Sequence, residues 1–352
     1  MKKLKVSILR NENPSSAEKW LLACQRHDIA YDIIDLTASN WLDKVQASQS
    51  NFFLLKPAGM LEHYKTLYDE RIYIICKVLG LKIFPSYEES YIYENKKLLS
   101  YYLPAKNIPH PKTWVFYSRE EANAFIDQTS FPVVAKTTIG ASGSGVQILK
   151  DKNRARKYIN NAFSNKGIKR RFGPNRVIGT PGKWFIKAVK SPSYFFKKLK
   201  EYMTIYGHGE RDLALFQEYI PHEFEWRAVR IEDSYFAHKK IKYQDKASGS
   251  KGIDYVNPPL SLLNFVKNIC EVNHFSCMAI DLFDDGNGGF LVNELQTIFG
   301  HVQDHIMEVD GTPGRYIFQD NHWVFEPGDF NTNESYDLRL KTAISLYKKE
   351  TS

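Results

Sequence analysis

Short apolar runs alternate with amphipathic stretches over the first ninety residues. The pattern predicts, in order, a strand (5–9), a helix ending near residue 26, two strands (31–36 and 52–55), a helix (63–79) and a fourth strand (81–85). Strands that alternate with helices in this way are typical of a parallel, doubly wound sheet. The N-terminal part is therefore expected to be an α/β domain.

From about residue 91 onward the segments are mainly strand-like. The pattern predicts a helix at 94–105, strands at 113–117, 131–136, 146–149, 212–219, 226–231 and 235–242, a helix at 260–273, strands at 277–283 and 290–295, and a closing helix at 334–349. A domain boundary is expected near Tyr91, where the alternation of strands and helices ends.

Composition limits the class of protein. The chain has 352 residues, of which 43% are hydrophobic, and no segment approaches the ~18–20 consecutive apolar residues of a membrane span. The apolar run at 6–9 is too short for a secretory signal. The four cysteines show no CxxC spacing, which favours reduced core thiols over disulfides or a zinc site. These features predict a soluble, cytoplasmic protein.

Positive charge is concentrated in one segment. Residues 163–200 contain eleven Lys and Arg and no Asp or Glu. The charge of this segment, +11, therefore exceeds the net charge of the whole chain, +8. The favoured interpretation is a solvated face over core aromatics. The alternative is a surface for an acidic polymer, such as a uronate polysaccharide or a polyglutamyl chain, or for membrane headgroups around a lipid-linked substrate. Nucleic acid ranks lower because no recognition motif is present.

The stretch FPVVAKTTIGASGSGVQIL, residues 131–149, combines a strand, a lysine and three glycines. Lys136 precedes Gly140 by four residues, whereas the lysine of a P-loop follows its glycines. The spacing GxxGxG also reverses the dinucleotide-binding fingerprint, and a β-prone run follows it. We therefore expect a strand, a glycine loop and a second strand, with Lys136 exposed in a cleft.

A second polar group follows two strands near the C-terminus. Asp281 follows an apolar run, and Glu294 and Gln296 occupy the predicted partner strand of a hairpin. Residues i and i+2 of a strand share a face, so Glu294 and Gln296 point the same way. Two carboxylates and an amide oxygen suit Mg²⁺. Asp284 and Asp285 are interpreted as turn residues of the same hairpin.

Four motifs occur in a recognisable order: NKKLL…IPHP, FPVVAK…GASGSG, LFQEYI…EFEWR and AIDLF…FLVNELQ. Over residues 91–310 the chain resembles the ATP-grasp superfamily of ligases. The resemblance implies the ATP-grasp fold, with an N-terminal domain (1–90), a central lobe (91–215) that carries the basic insert, and a C-terminal lobe (216–352). It also implies ATP and Mg²⁺ as cofactors, with two ions expected and Mn²⁺ able to substitute.

The resemblance implies roles for residues of the nucleotide site. The matched set is Lys96, Lys136, Gly140, Ser142, Gly143, Ser144, Gly145, Gln217, Glu218, Tyr219, Ile220 and Glu225. The two lysines match ATP-contacting lysines, with Lys97 as the alternative to Lys96. Residues 140–145 match the phosphate lid, residues 217–220 the adenine hinge, and Glu225 the ribose-binding acid.

The remaining matches concern the reaction centre. Arg227 matches an arginine that contacts phosphate or the acyl group, with Lys240 as a second candidate, while Asp281, Glu294 and Gln296 match the metal ligands. The family usually has Asn at the position of Gln296. D-alanine–D-alanine ligases carry an arginine two residues before the aspartate, where this chain has Ala279. That subfamily is not expected.

The implied reaction joins a carboxylate to an amine through an acylphosphate. A kinase with an alcohol acceptor and a regulatory ATP-binding protein without turnover stay open as alternatives. The sequence does not identify the acid, the amine or the oligomeric state, and a homodimer is left open. Candidates for binding the acceptor are the segment 13–15, Lys56 and the loop 245–252. Ordinary capping or loop chemistry is favoured for the first two. Among the histidines, His301 is the one candidate for contacting substrate.

Overall fold

The computed structural model describes residues 4–140, 143–171, 192–243, 246–247 and 252–351. The chain forms two compact units. The first comprises Met1–Tyr93, Trp226–Lys239 and Ile253–Ser352, and the second comprises Glu94–Glu225 and Lys240–Gly252. The three-domain division given above stays a prediction.

The elements follow one another along the chain in mixed α/β order. The strands are β1 (Lys5–Arg10), β2 (Ala30–Asp35), β3 (Phe52–Leu55), β4 (Ile83–Phe84), β5 (Thr113–Phe116), β6 (Val133–Lys136), β7 (Val146–Leu149), β8 (Ala214–Glu218), β9 (Phe224–Ile231), β10 (Ser234–Tyr243), β11 (Lys246–Ala247), β12 (Ile253–Asp254), β13 (Cys277–Asp284), β14 (Phe290–Gln296), β15 (Glu308–Val309), β16 (Thr312–Gln319) and β17 (His322–Pro327). The helices are α1 (Glu18–Arg26), α2 (Trp41–Ala47), α3 (Glu62–Tyr73), α4 (Tyr87–Ile92), α5 (Lys96–Ala105), α6 (Arg119–Gln128), α7 (Lys152–Ala162), α8 (Pro192–Gly207), α9 (Leu260–Val272) and α10 (Tyr336–Thr351).

The N-terminal sheet of the first unit has the order β2-β1-β3-β4, and every pair in it is parallel. Helices cover both faces. Val6 and Ile8 pack with Trp20 of α1, while Leu9 on the other face packs with Tyr68 of α3. The predicted doubly wound α/β arrangement is therefore confirmed.

The larger sheet of the first unit has the order β14-β13-β9-β10-β16-β15, with β17 added at β16. Its strands share a core with the N-terminal sheet, because α1 and α10 pack between apolar side chains of both. The rings of Trp20 and Tyr336 meet edge to face with centroids 4.8 Å apart. Strand β13, which carries Asp281, lies between β14 and β9.

The second unit has an antiparallel sheet of order β5-β8-β6-β7. Ala135 and Phe216 pack against α6 and α7 on one face. Because side chains alternate along a strand, Lys136 and Gln217 lie on the opposite face. Helices α6 and α7 thus cover the apolar face of the sheet, and the opposite face carries polar side chains.

The description of this region as mainly strand-like was wrong for α6 and α7. Helix α7 buries Ala155, Tyr158, Ile159 and Ala162, a spacing of three, four and seven residues, and Asp151 caps its N-terminus. The stripe is short and lies among lysines, arginines and asparagines, so the strand-rich neighbourhood masked it. Within the described residues, no helix combines the length and apolar character needed to cross a membrane.

The four cysteines are free thiols, as predicted. Cys24, Cys270 and Cys277 are buried and Cys76 is partly exposed. Burial raises the pKa of the Cys24 thiol to about 12. The three buried cysteines fill core space, and burial raises the pKa of their thiols, which disfavours thiolate chemistry.

Glu89 links two elements of the first unit from a fully buried position. Its carboxylate accepts hydrogen bonds from the Ser86 amide (2.9 Å), the Cys277 amide (2.6 Å) and the Ser276 hydroxyl (3.2 Å). The Ser86 hydroxyl in turn caps the Glu89 amide, which completes a capping box at the start of α4. Helix α4 is thereby fastened to the start of β13.

We predict that Glu89→Ala lowers the free energy of unfolding by about 3 kcal/mol, because two buried amides lose their acceptor. Burial raises the pKa of Glu89, so the folded state binds its proton more tightly than the unfolded chain. This contribution is complete below the ordinary pKa of about 4.3 and is lost as pH rises through the folded pKa. Urea unfolding of wild type and Glu89→Gln across pH measures it; identical pH profiles would contradict the assignment.

Candidate functional site

Lys96 contacts the glycine loop within the second unit. Its Nζ donates to the Gly140 carbonyl at 3.0 Å, and its backbone amide donates to the Thr138 carbonyl at 3.0 Å. Asn95 caps α5 with its side chain on the Leu98 amide, so the lysine sits in the first turn of a fixed helix. This geometry favours Lys96 over Lys97 as the lysine near the loop.

Two acids that sequence reasoning missed, the buried Glu94 and the partly exposed Glu210, hold the start of the loop. Glu94 accepts from the Gly140 amide at 3.2 Å and lies 3.7 Å from the Lys96 Nζ. Glu210 accepts from the Thr138 amide at 2.7 Å. Neither acid belongs to a local motif, since each acts from a distant segment of chain, so nothing in the sequence pointed to them.

The glycines of the loop are required by close approach and by backbone conformation. A Cβ at Gly145 would lie 1.8 Å from the Thr137 Oγ1, and Gly143 has φ +63°. The Thr137 amide donates to the Gly145 carbonyl at 3.0 Å. Within the described part of the chain, the amides of Ser144 and Gly145 carry no hydrogen bond. They are the loop donors best placed for an anion. Ser142 lies outside the described residues.

Lys136 is buried rather than exposed, with 7% of its surface accessible. It is the last residue of β6, opposite Val146 of β7 and Leu215 of β8, so strands flank it on both sides. The Tyr158 hydroxyl donates to its carbonyl at 3.2 Å. The expectation that Lys136 is exposed in a cleft was therefore wrong.

The predicted adenine hinge, residues 217–220, leaves β8. The Gln217 side chain donates to the Thr113 hydroxyl at 3.3 Å, and the Glu218 amide donates to the Lys112 carbonyl at 2.8 Å. The His222 Nδ1 lies 2.7 Å from the Ile220 carbonyl. The Tyr219 hydroxyl accepts from the Lys242 Nζ at 3.4 Å. The hinge is therefore anchored on both sides by contacts of the second unit.

Glu225 and Lys240 form a buried ion pair in the second unit. The Lys240 Nζ donates to the Glu225 Oε2 at 2.9 Å, and His222 lies 3.9 Å from the other carboxylate oxygen. The pairing compensates the burial of both charges. Sequence analysis separated these residues into a ribose acid and a reaction-centre cation. The structure brings them together, and their individual roles stay predictions.

The predicted metal ligands share one face of the hairpin β13–β14 in the first unit. Asp281 and Glu294 are directly opposed, and Gln296 is two residues farther along the same strand. Opposed side chains of an antiparallel pair have Cβ atoms about 5 Å apart, within reach of one ion. A bulge follows Asp281, so the register shifts beyond it.

Arg227 lies opposite Asp281 on the other neighbouring strand, β9. Its Nε and Nη2 donate to the two Asp281 oxygens at 2.7 and 2.8 Å. Asp281 is buried, so this bidentate pair supplies the positive charge that the carboxylate needs. Among the described residues, no three His, Cys, Asp or Glu side chains cluster around a metal position. The oxygens of Asp281, Glu294 and Gln296 suit Mg²⁺, with phosphate or water as its remaining ligands. Asp281 would then contact both the ion and Arg227.

Other sequence candidates have local explanations. Asn13 accepts from the Ser15 amide at 3.1 Å and caps a short 3₁₀ turn, as the favoured interpretation held. His301 is buried, and its Nε2 lies 2.7 Å from the His305 carbonyl, so Nε2 carries the hydrogen. Burial lowers the pKa of His301. Burial, with Arg339 nearby, likewise lowers the pKa of Lys56. The loop 245–252 falls largely outside the described residues.

Comparison with known proteins relates these features to a family. The model of the RimK-like ATP-grasp domain matches residues 94–172. Glutamate–LysW ligase ArgX of Sulfurisphaera tokodaii is 22% identical over 293 residues, which cover 83% of this chain and 88% of that protein. D-alanine–D-alanine ligase of Bacillus anthracis complexed with ATP aligns with a TM-score of 0.54 at 13% identity over 99% of both chains. D-cycloserine synthetase DcsG aligns with a TM-score of 0.56 at 12% identity over 98% of this chain and 99% of that chain.

The predicted resemblance to the ATP-grasp superfamily is confirmed, since residues 94–172 match its RimK-like domain. The predicted ATP-grasp fold is confirmed. The family match at 94–172 spans Lys96, Lys136 and the glycine loop. The residue roles assigned above stay predictions for this ATP-grasp protein.

We predict that Glu294→Gln abolishes turnover with only a modest loss of ATP affinity, because an ion at the hairpin loses a charged ligand. Asp281→Asn should have the same effect on turnover, and it also weakens the hydrogen-bonded pair with Arg227 because the carboxylate charge is lost. The control is Asp284→Asn on the same hairpin, whose side chain accepts from the Gly286 amide at 2.8 Å in a turn that asparagine also suits. Rates of ADP release measure the effect, and wild-type rates in Glu294→Gln would remove the metal assignment.

We predict that Lys136→Met weakens ATP binding at least about tenfold with little change in melting temperature, since methionine keeps the buried methylenes and removes the charge. Lys136→Ala should also lower the melting temperature, because it leaves a cavity in a buried position. Calorimetry of nucleotide binding makes the comparison, with exposed Lys150→Met as the matched control. Unchanged affinity in Lys136→Met would refute the role of this lysine.

Proposed function

We propose that this protein is an ATP- and Mg²⁺-dependent ligase that joins a carboxylate to an amine through an acylphosphate. One observation carries the proposal. The first unit aligns Arg227, Asp281 and Glu294 across three neighbouring strands, in a chain of the ATP-grasp superfamily. An arginine beside two carboxylates suits a reaction in which negative charge on phosphoryl oxygens must be neutralised.

The residues of the second unit serve nucleotide binding in this proposal. Lys96 and Lys136 supply positive charge to phosphate oxygens, and the amides of Ser144 and Gly145 donate to them. Magnesium, when bound by Asp281, Glu294 and Gln296, neutralises phosphate charge and orients the transferring group. Arg227 orients the Asp281 carboxylate through its two hydrogen bonds.

The proposed chemistry needs no nucleophilic side chain. A substrate carboxylate oxygen attacks the γ-phosphorus, and the bond between that phosphorus and the ADP oxygen breaks. The amine nitrogen then attacks the acyl carbon, the bond to the phosphate oxygen breaks, and the amine loses a proton to solvent. The released phosphate therefore carries one oxygen from the carboxylate.

Substrates are proposed from the relative with the matching sequence. That protein is named as a ligase of glutamate and LysW. We infer that glutamate is the first amine to test, together with acceptors whose carboxylate belongs to a larger molecule. The acceptor class stays a proposal.

We predict that ADP release requires both an acid and an amine, with glutamate first among the amines tested. With the active acid labelled by ¹⁸O in its carboxylate, mass analysis should find one label in each phosphate released. A phosphorylated product without free phosphate would indicate a kinase instead. ATP binding without ADP release under any pairing would indicate a regulatory protein.

A further inference from the structure

A groove of about 590 Å³ runs along β7, the outermost strand of the four-stranded sheet in the second unit. Strand β7 forms one wall, helix α7 another, and residues 166–169 a third. None of the proposed nucleotide or metal residues lines this groove. Its four cationic lining residues are Arg154, Lys157, Lys166 and Lys169, and no acidic residue lines it.

These cations have few acidic partners. Arg154 shares an exposed ion pair with Asp151 at 3.3 Å. Within the described ranges, Lys157, Lys166 and Lys169 have no acidic partner, and all three are exposed. The Lys169 Nζ lies 4.5 Å from the centre of the Tyr206 ring, which holds it at the groove. The groove is therefore electropositive and open to a ligand with several negative charges.

The backbone of β7 offers hydrogen bonds on the side of the groove. The Thr137 amide donates to the Gly145 carbonyl, and the register places Ala135 opposite Gln147 and Val134 opposite Ile148. Hydrogen-bonded and non-hydrogen-bonded pairs alternate along an antiparallel ladder. The amides of Gln147 and Leu149 thus point to β6, while the N–H and C=O of Ile148 point away from it. No other described segment pairs with them.

We propose that this groove binds an extended acidic polypeptide segment, which adds to β7 as a further strand and places its carboxylates against the lysines. The Ile148 N–H and C=O would bond the peptide backbone, and the cations would select its side chains. This surface goes beyond the ligase reaction, since it can recruit a protein partner whichever substrates the enzyme joins.

The geometry favours a polypeptide over other anions. A paired donor and acceptor on a strand edge match a peptide backbone, whereas a phosphate chain offers acceptors alone. Single-stranded nucleic acid is bound by several exposed aromatic platforms in succession, whereas this groove has one exposed aromatic, Tyr206, because Tyr158 is buried. A concave groove between a strand and a helix also cannot lie flat against a membrane.

The charge test uses the peptide acetyl-(Glu-Thr)₄-amide, with acetyl-(Gln-Thr)₄-amide as the neutral probe. Lys166→Glu/Lys169→Glu should weaken binding of the acidic peptide at least about tenfold, and added salt should weaken wild-type binding. The control Lys44→Glu/Lys106→Glu makes the same change in net charge at exposed residues that do not line the groove. An equal loss of peptide affinity in both double variants, or unchanged affinity in Lys166→Glu/Lys169→Glu, would overturn the proposal.

The backbone test uses Ile148→Pro, which removes an outward N–H and leaves the bonds to β6 in place. It should abolish peptide binding while Ile148→Val retains it. In wild type, the peptide should slow hydrogen exchange of the Ile148 amide, measured by NMR, whereas Gln147 and Leu149 are protected already. If Ile148→Pro does not fold, the exchange measurement decides. Peptide binding without protection of Ile148 would overturn strand addition.

Competition distinguishes this surface from other anion sites. All measurements are made without ATP, so failure of the ligase proposal leaves their outcome intact. Oligo-dT of eight nucleotides and phosphatidylglycerol vesicles are the competing probes. Groove-dependent binding of either one more tightly than the acidic peptide would overturn the assignment to a polypeptide.

Discussion

The proposed reaction centre depends on the cross-strand alignment of Arg227, Asp281 and Glu294. A buried carboxylate is costly unless it is paired and hydrogen-bonded. Asp281 meets this requirement through two hydrogen bonds from Arg227 on one side and lies opposite Glu294 on the other. The order β14-β13-β9 in the sheet fixes all three positions. Without β9 beside β13, the Asp281 carboxylate would lose the two hydrogen bonds from Arg227.

In the second unit, charged side chains are likewise paired, here with the backbone or with acids of the same unit. Its lysines are held by the backbone and by acids: Lys96 on the Gly140 carbonyl, Lys240 on Glu225. Glu94 accepts from the Gly140 amide and Glu210 from the Thr138 amide, while no described residue accepts from the amides of Ser144 and Gly145. These contacts, with the Thr137 amide on the Gly145 carbonyl and the Arg171 amide on the Ser144 carbonyl, fix the described ends of the loop. Such fixed donors favour charge stabilisation over simple binding.

Sequence reasoning found the features that have short-range signals. The hairpin of Asp281 and Glu294 followed from alternation and a glycine-rich turn, and the glycine loop from its flanking strands. Long-range placement was not accessible. The pairing of β8 with β6, which places a strand beside Lys136, joins segments about eighty residues apart. Glu94 and Glu210 act through contacts with no sequence motif, and the apolar stripe of α7 was hidden among polar neighbours.

The cations beside β7 have a competing explanation, since lysines near a strand edge commonly protect it from pairing with other chains. Protective charges usually stand on the exposed strand itself. Strand β7 reads Val-Gln-Ile-Leu and carries no charge, whereas the cations stand on α7 and on residues 166–169 across the groove. An uncharged edge facing a row of lysines repels basic segments and accepts acidic ones. The arrangement thus selects a partner strand by charge, which pure protection of an edge does not require.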